Sequence, residues 1–237
     1  AIDRTLLALA EFGGRMEEEG VEKRRAVATS ASRDAANRES FFDRAEIALG
    51  VRPELLTGEE EARLAFAGAT AGLSLPPPFV VVDIGGGSTE FVTGEGGRSF
   101  DVGSVRLTER VLGHRPAPSE ELAAGRNLVV EVFSPVGPTP GTVVGVAGTW
   151  TSLAGIQYGD PRVHMRELTL GQVTGLVELL AGLSVEATVA LPGYDPARAP
   201  VILSGAVVAE AALKALSADK VVISLHDLLD GVIAALL

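Results

Sequence analysis

Residues 80–90 read VVVDIGGGSTE, an apolar run that ends in an acid, three consecutive glycines, two hydroxyl residues and a second acid. FVVVDI (79–84) has the length and branched-chain content of a buried strand, and STEFVTG (88–94) reads as its antiparallel return. RSFDVG (98–103) makes a third strand after another glycine-rich turn. From there the pattern alternates: helices at 104–112 and 119–133, strand TVVGVA (142–147), and helix from Thr149. A capped helix begins at Thr169 and Gln172, helix Ala206–Leu216 follows, then strand KVVIS (220–224) and a closing helix.

Upstream, SLPPPF (74–79) is a proline-dense break that no helix crosses, and it is the expected boundary between a unit at 1–75 and a unit at 76–237. The first unit reads as helix 1–18, strand RRAVATS (24–30), helix 33–49, strand VRPELL (51–56) and helix 57–73, with Thr57 and Glu60 in capping-box register. It repeats the second unit without the three opening strands. Two such units around a cleft make an α/β architecture of the actin-like, sugar-kinase-like kind, with an incomplete first unit.

Composition narrows the function classes. The chain has 237 residues, 46% of them apolar, with 20 Lys and Arg against 31 Asp and Glu, a net charge of -11. That balance repels nucleic acid and anionic membrane, so a polyanionic partner needs a local basic pocket. Arg33 and Arg38, with Lys23, Arg24 and Arg25, are the candidates for such a mouth. There is no cysteine, which excludes disulfides and thiolate metal sites and fits a cytoplasmic location. No apolar run reaches the roughly 18 residues of a membrane span. The histidines at 114, 164 and 226 form no H-E-x-x-H, no G-x-S-x-G is present, and neither is a G-x-x-x-x-G-K-[ST] loop. The histidines are therefore read as structural.

The chemistry concentrates in three places. Gly85, Gly86 and Gly87 permit a tight turn, with positive φ allowed and backbone N–H groups facing a phosphate, and Ser88 and Thr89 add hydroxyls. Asp83 and Glu90 flank that turn and suit a hydrated Mg²⁺, which prefers oxygen ligands. In TSASRD (29–34) a strand runs into a helix start, where Ser32, Arg33 and free helix N–H groups can meet an anion. In LTGEEEARL (56–64) two of the three glutamates suit the helix dipole alone, whereas Glu61 can project into the cleft and act on a water.

The blocks TSASRDAAN, TGEEEARLAF, VVVDIGGGSTEFV, VGVAGTWTSLA, PVILSGAVVAE and SLHDLLDGV, in this order over nearly the whole chain, resemble the exopolyphosphatase and guanosine pentaphosphate phosphohydrolase family. The resemblance implies removal of terminal orthophosphate from inorganic polyphosphate, or of the 5' phosphate from guanosine pentaphosphate, with Mg²⁺. It implies Glu61 as general base, Arg33 as a phosphate ligand, and Asp83 and Glu90 organising metal and water. Gly85, Gly86, Gly87 and Ser88 would cradle the phosphate. Gly148 and Thr149, faced by Gly205, match the place where actin-like relatives receive a nucleotide. A homodimer and a part in the stringent response are further implications. The family also has an Asp-x-Gly-(Ser/Thr)-Asn hairpin as the opposing phosphate loop, whereas this chain starts at a helix. Its spacing is short around 152–165, and Ala199-Pro200 stands for the usual Ala-Asp. An ATP-dependent kinase of the same fold and a sensor that binds without turnover are the alternatives.

Overall fold

A computed structural model describes residues 2–29, 32, 35–139 and 141–236. The order opens with α1 (Ile2–Glu18), β1 (Val27–Ala28), α2 (Arg38–Leu49), β2 (Glu54–Leu55) and α3 (Gly58–Thr70). It continues with β3 (Phe79–Ile84), β4 (Thr89–Thr93), β5 (Gly96–Phe100), α4 (Ser104–Arg110), α5 (Ser119–Val132), β6 (Thr142–Val146) and α6 (Ala147–Tyr158). The last elements are β7 (Glu167–Thr169), α7 (Leu170–Ala181), α8 (Val185–Val189), a 3₁₀ turn (Pro196–Arg198), α9 (Ile202–Ala215), β8 (Lys220–Ile223) and α10 (Leu228–Ala234).

A mixed six-stranded sheet in the order β5-β4-β3-β6-β8-β7 organises the molecule. β3 and β4 form the antiparallel hairpin read from VVVDIGGGSTE, while β6 and β8 run parallel to β3 on its other side. This α/β arrangement is that of the actin-like fold. β7 is an antiparallel edge strand against β8 that the sequence reading does not contain; three residues are too few to show a period. Conversely, the expected strands at 24–30 and 51–56 shrink to two parallel residue pairs, Val27 with Glu54 and Ala28 with Leu55.

Alternation along the strands divides the core. Val80, Val82 and Ile84 face the larger layer under α6 and α9, which includes Trp150, Leu153, Leu203 and Val207. Trp150 is fully buried, and its indole N–H donates to the Val82 carbonyl at 2.9 Å. Val81, Val92, Val144 and Val146 face the other way and meet Ala62, Phe66 and Ala69 of α3. Removing each of these valines from water contributes on the order of 1.5–3 kcal/mol, so α3 is held firmly on this sheet face. Its start is set locally: the Thr57 hydroxyl accepts from the Glu60 N–H, and the Glu60 carboxylate accepts from the Thr57 N–H, the expected capping box.

The closing helix α10 lies on α3, where Leu64, Val232 and Leu56 form a third cluster with Val27 and Leu228. α9 begins at Ile202, four residues earlier than expected, because Ile202 to Leu213 are all buried and leave no amphipathic signal at the true start. Among the described residues no helix is long and apolar enough to cross a membrane.

Candidate active site

The site lies at the end of the sheet where β3 terminates. Asp83 pairs directly with Glu90 across the hairpin, so both carboxylates project from one face. Asp83 follows Val81 by two residues and Glu90 precedes Val92 by two, which places them on the face covered by α3. The first turn of α3 carries Glu61. Burial pushes the Asp83 carboxyl up to about 7, and the charges of Glu90, Asp227 and Glu61 push the same way. Carboxylates from β4, α3 and the start of α10 thus act electrostatically on the one near the end of β3. Ser99 on β5 donates its hydroxyl to Glu90 at 2.7 Å and fixes that side chain.

The triple-glycine turn forms without the left-handed backbone that its sequence allows. None of Gly85, Gly86 and Gly87 has a positive φ. The helix α4 closes on the carbonyl side of this turn. The carbonyls of Gly85 and Gly86 accept from the N–H groups of Ser104, Val105 and Arg106 at 2.9–3.0 Å. A Cβ on Gly86 would stand 3.2 Å from the Val105 side chain, and one on Gly103 would stand 2.7 Å from the Gly85 and Gly86 carbonyls. With the carbonyls turned to α4, the N–H groups of Gly86, Gly87 and Ser88 and the Ser88 hydroxyl meet no protein acceptor among the described residues. Gly86 and Gly87 are exposed. Outward N–H groups on an exposed turn are suited to phosphate oxygens. Thr89, by contrast, is buried and donates to the Val102 carbonyl at 2.6 Å.

The other expected residues divide. Ser32 is half-buried, and its N–H donates to the Thr29 carbonyl at 2.9 Å. Arg33 lies outside the described residues. Thr149 is buried and gives its hydroxyl to the Ile84 carbonyl at 2.9 Å, and a Cβ on Gly205 would lie 2.8 Å from the Thr149 methyl. These two residues therefore meet each other within the core. Gly148 follows Ala147, whose φ of 66° marks a strained strand-to-helix turn. The Arg198 guanidinium covers Gly148: a Cβ there would be 2.0 Å from its central carbon.

Of the expected basic mouth, Arg25 pairs with Glu54 at 3.0 Å, Arg24 donates to the Leu49 carbonyl and Lys23 to that of Leu236. Arg38 pairs with Glu39 at 3.0 Å. His164 and His226, remote in sequence, bring their rings to 4.8 Å, and His164 accepts the Leu225 N–H at Nδ1.

Three residues at the site escaped the sequence reading. Asp227 caps α10, and its charge raises the Asp83 pKa. Arg106 extends along the turn, its guanidinium 3.5 Å from where a Gly87 Cβ would be, tethered to Asp101 at 2.7 Å. Arg198 is the third. All three arrive through folding; the only local hint was Asp227 as an acid at a helix start.

Among the described residues no three His, Asp or Glu side chains stand close enough to hold an ion by themselves. Mg²⁺ keeps several waters and is commonly held by one or two carboxylates plus substrate phosphates, so the Asp83 and Glu90 pair suffices. Burial first and the neighbouring carboxylates second raise the Asp83 pKa, and a cation between Asp83 and Glu90 would offset the second of these. Two cavities of about 500 and 550 Å³ open at the opposite end of the sheet, lined by residues such as Val80, Phe91 and Leu216 or Thr142 and Lys220, away from these carboxylates.

Known proteins resemble this chain along almost its whole length. The chain is 38% identical to exopolyphosphatase 2 of Mycobacterium tuberculosis, across 100% of this chain and 82% of that protein. It is 30% identical to exopolyphosphatase 1 of Mycobacterium leprae, across 98% and 74%. Among solved structures, the type II variant of the Aquifex aeolicus Ppx/GppA phosphatase superposes with a TM-score of 0.88 at 32% identity, over 100% of this chain and 82% of that one. An exopolyphosphatase from Cytophaga hutchinsonii gives 0.83 at 27% identity, over 99% and 81%. The profile of the Ppx/GppA phosphatase family matches residues 1–237, and the chain belongs to that family.

Proposed function

We propose that the protein is an exopolyphosphatase that hydrolyses the terminal phosphoanhydride bond of inorganic polyphosphate, with guanosine pentaphosphate as a second substrate. The observation that carries this reading is the Asp83 and Glu90 pair on the sheet face that α3, the helix of Glu61, covers, beside a turn whose N–H groups meet no protein acceptor among the described residues. The N–H groups of Gly86, Gly87 and Ser88 bind the terminal phosphoryl oxygens, and Arg106, Arg198 and Arg33 balance the charge of the chain. Glu61 orients a water and takes its proton as the water oxygen bonds to phosphorus. The bridging P–O bond breaks, and its electron pair leaves with the shortened polyphosphate. Asp83 and Glu90 would hold Mg²⁺, which when bound neutralises phosphate oxygens. A kinase reading is disfavoured by the Arg198 guanidinium over Gly148 and by the closed contact of Thr149 with Gly205, where an actin-like kinase would seat its nucleotide.

The test is orthophosphate release from long-chain polyphosphate and from guanosine pentaphosphate, with and without Mg²⁺, for the wild type and Glu61→Ala. Loss of a positioned general base costs roughly 10²–10⁴ in rate. Wild-type turnover in folded Glu61→Ala refutes the base, and binding of polyphosphate without release identifies a sensor.

A further inference from the structure

The two helices that bring carboxylates toward Asp83 touch each other through glycine. Gly68 follows Glu61 on α3 by seven residues, about two turns, and so lies on the same face. A Cβ on Gly68 would stand 1.9 Å from the Asp227 carbonyl oxygen and 2.6 Å from the Gly231 nitrogen. A Cβ on Gly231 would stand 1.9 Å from the Leu64 carbonyl oxygen. Contacts under 3.0 Å are not sustained, so a methyl group at either position forces a shift of about 1.1 Å. Neither glycine has a positive φ, so neither is required by backbone conformation. Inside a helix glycine costs about 1 kcal/mol relative to alanine. What it provides here is close approach.

The contact has leverage because α3 is wedged. One side carries Ala62, Phe66 and Ala69 against Val81, Val92, Val144 and Val146 of the sheet, and the other carries Leu64 against Val232 of α10. Widening the crossing displaces α3 or α10, and each delivers a carboxylate toward Asp83, Glu61 from the first and Asp227 from the second. We propose that Gly68 and Gly231 are positioning residues for catalysis: the backbone contact they permit sets the separation of Glu61 and Asp227 from Asp83. The proposal rests on Glu61 being the base.

The test is Gly68→Ala and Gly231→Ala, with Gly14→Ala on α1, whose Cβ meets nothing within 4 Å, as control. Misplacing reacting groups by about 1 Å can cost on the order of 10² in rate. We expect kcat for orthophosphate release to fall about 100-fold in both site variants, with KM for polyphosphate changed less than about threefold, and Gly14→Ala to match wild type. The chain has no cysteine, so nitroxide labels can be placed at Glu120→Cys with Ala67→Cys or Ala234→Cys, and one of the two separations should shift by about 1 Å. Wild-type kcat in a folded alanine variant overturns the proposal, and so does lost activity with both separations unchanged. Should the alanine variants not fold, Val232→Ala loosens the same crossing without a clash. It should lower kcat at least about tenfold at constant KM, and wild-type kcat there also overturns the proposal. A wild type that releases no orthophosphate refutes the functional reading alone, while the label separations still decide whether these glycines set the helix spacing.

Discussion

Replacing Asp83 by asparagine keeps its shape and removes its charge, and the effect on stability follows from its surroundings. In the folded protein the Asp83 carboxyl is raised from 3.8 to about 7, by burial first and then by Glu90, Asp227 and Glu61. A raised carboxyl holds its proton in the folded state while the unfolded chain has already released it. Stability from this group is therefore complete at the acid end and is lost as pH rises from about 4 to about 7. At about 1.4 kcal/mol per unit, the loss between pH 4.5 and 8 is roughly 3 kcal/mol. Denaturant unfolding of wild type and Asp83→Asn in metal-free buffer across that range measures it, because titrations common to both proteins cancel in the difference. The variant should gain on wild type by roughly 3 kcal/mol from pH 4.5 to 8, with nearly all of the gain below pH 7.5. Parallel curves would refute the burial of Asp83 among neighbouring carboxylates. Added Mg²⁺ at pH 8 should stabilise wild type and leave Asp83→Asn nearly unaffected.

Gly103→Ala drives a methyl group into the Gly85 and Gly86 carbonyls, so it should raise KM for polyphosphate and lower kcat while leaving a folded protein by circular dichroism. Arg198→Ala should weaken polyphosphate binding, and the salt dependence of KM should become shallower because a cation facing the substrate is gone. Removing the cap with Thr57→Ala should cost about 1 kcal/mol in denaturant unfolding, from the lost hydrogen bond to the Glu60 N–H.

Much of the local structure was legible because its causes are local. The β3–β4 hairpin announces itself by apolar runs on either side of a glycine turn, and the capping boxes at Thr57 with Glu60 and Thr169 with Gln172 are sequence patterns that reappear as reciprocal hydrogen bonds. Elements defined by their surroundings were not legible: β7 exists only as a partner for β8, and the start of α9 is hidden by burial on every side. The glycines of the turn were identified correctly as a requirement for smallness. Left-handed backbone is not used there; at Gly86 and Gly103 the close approach of α4 to the turn leaves little room for a side chain.

By itself the sequence determined the α/β class, the hairpin, the acid pair at Asp83 and Glu90, and Glu61 at a helix start, since each depends on spacing along a few residues. Only the tertiary structure decided that Asp227 joins those acids, that Arg106 and Arg198 reach the two turns, and that Thr149 and Gly205 close against each other. Those contacts join residues far apart in the chain. Their geometry depends on how closely helices cross, as at Gly68 and Gly231, and no periodicity in the sequence encodes that distance.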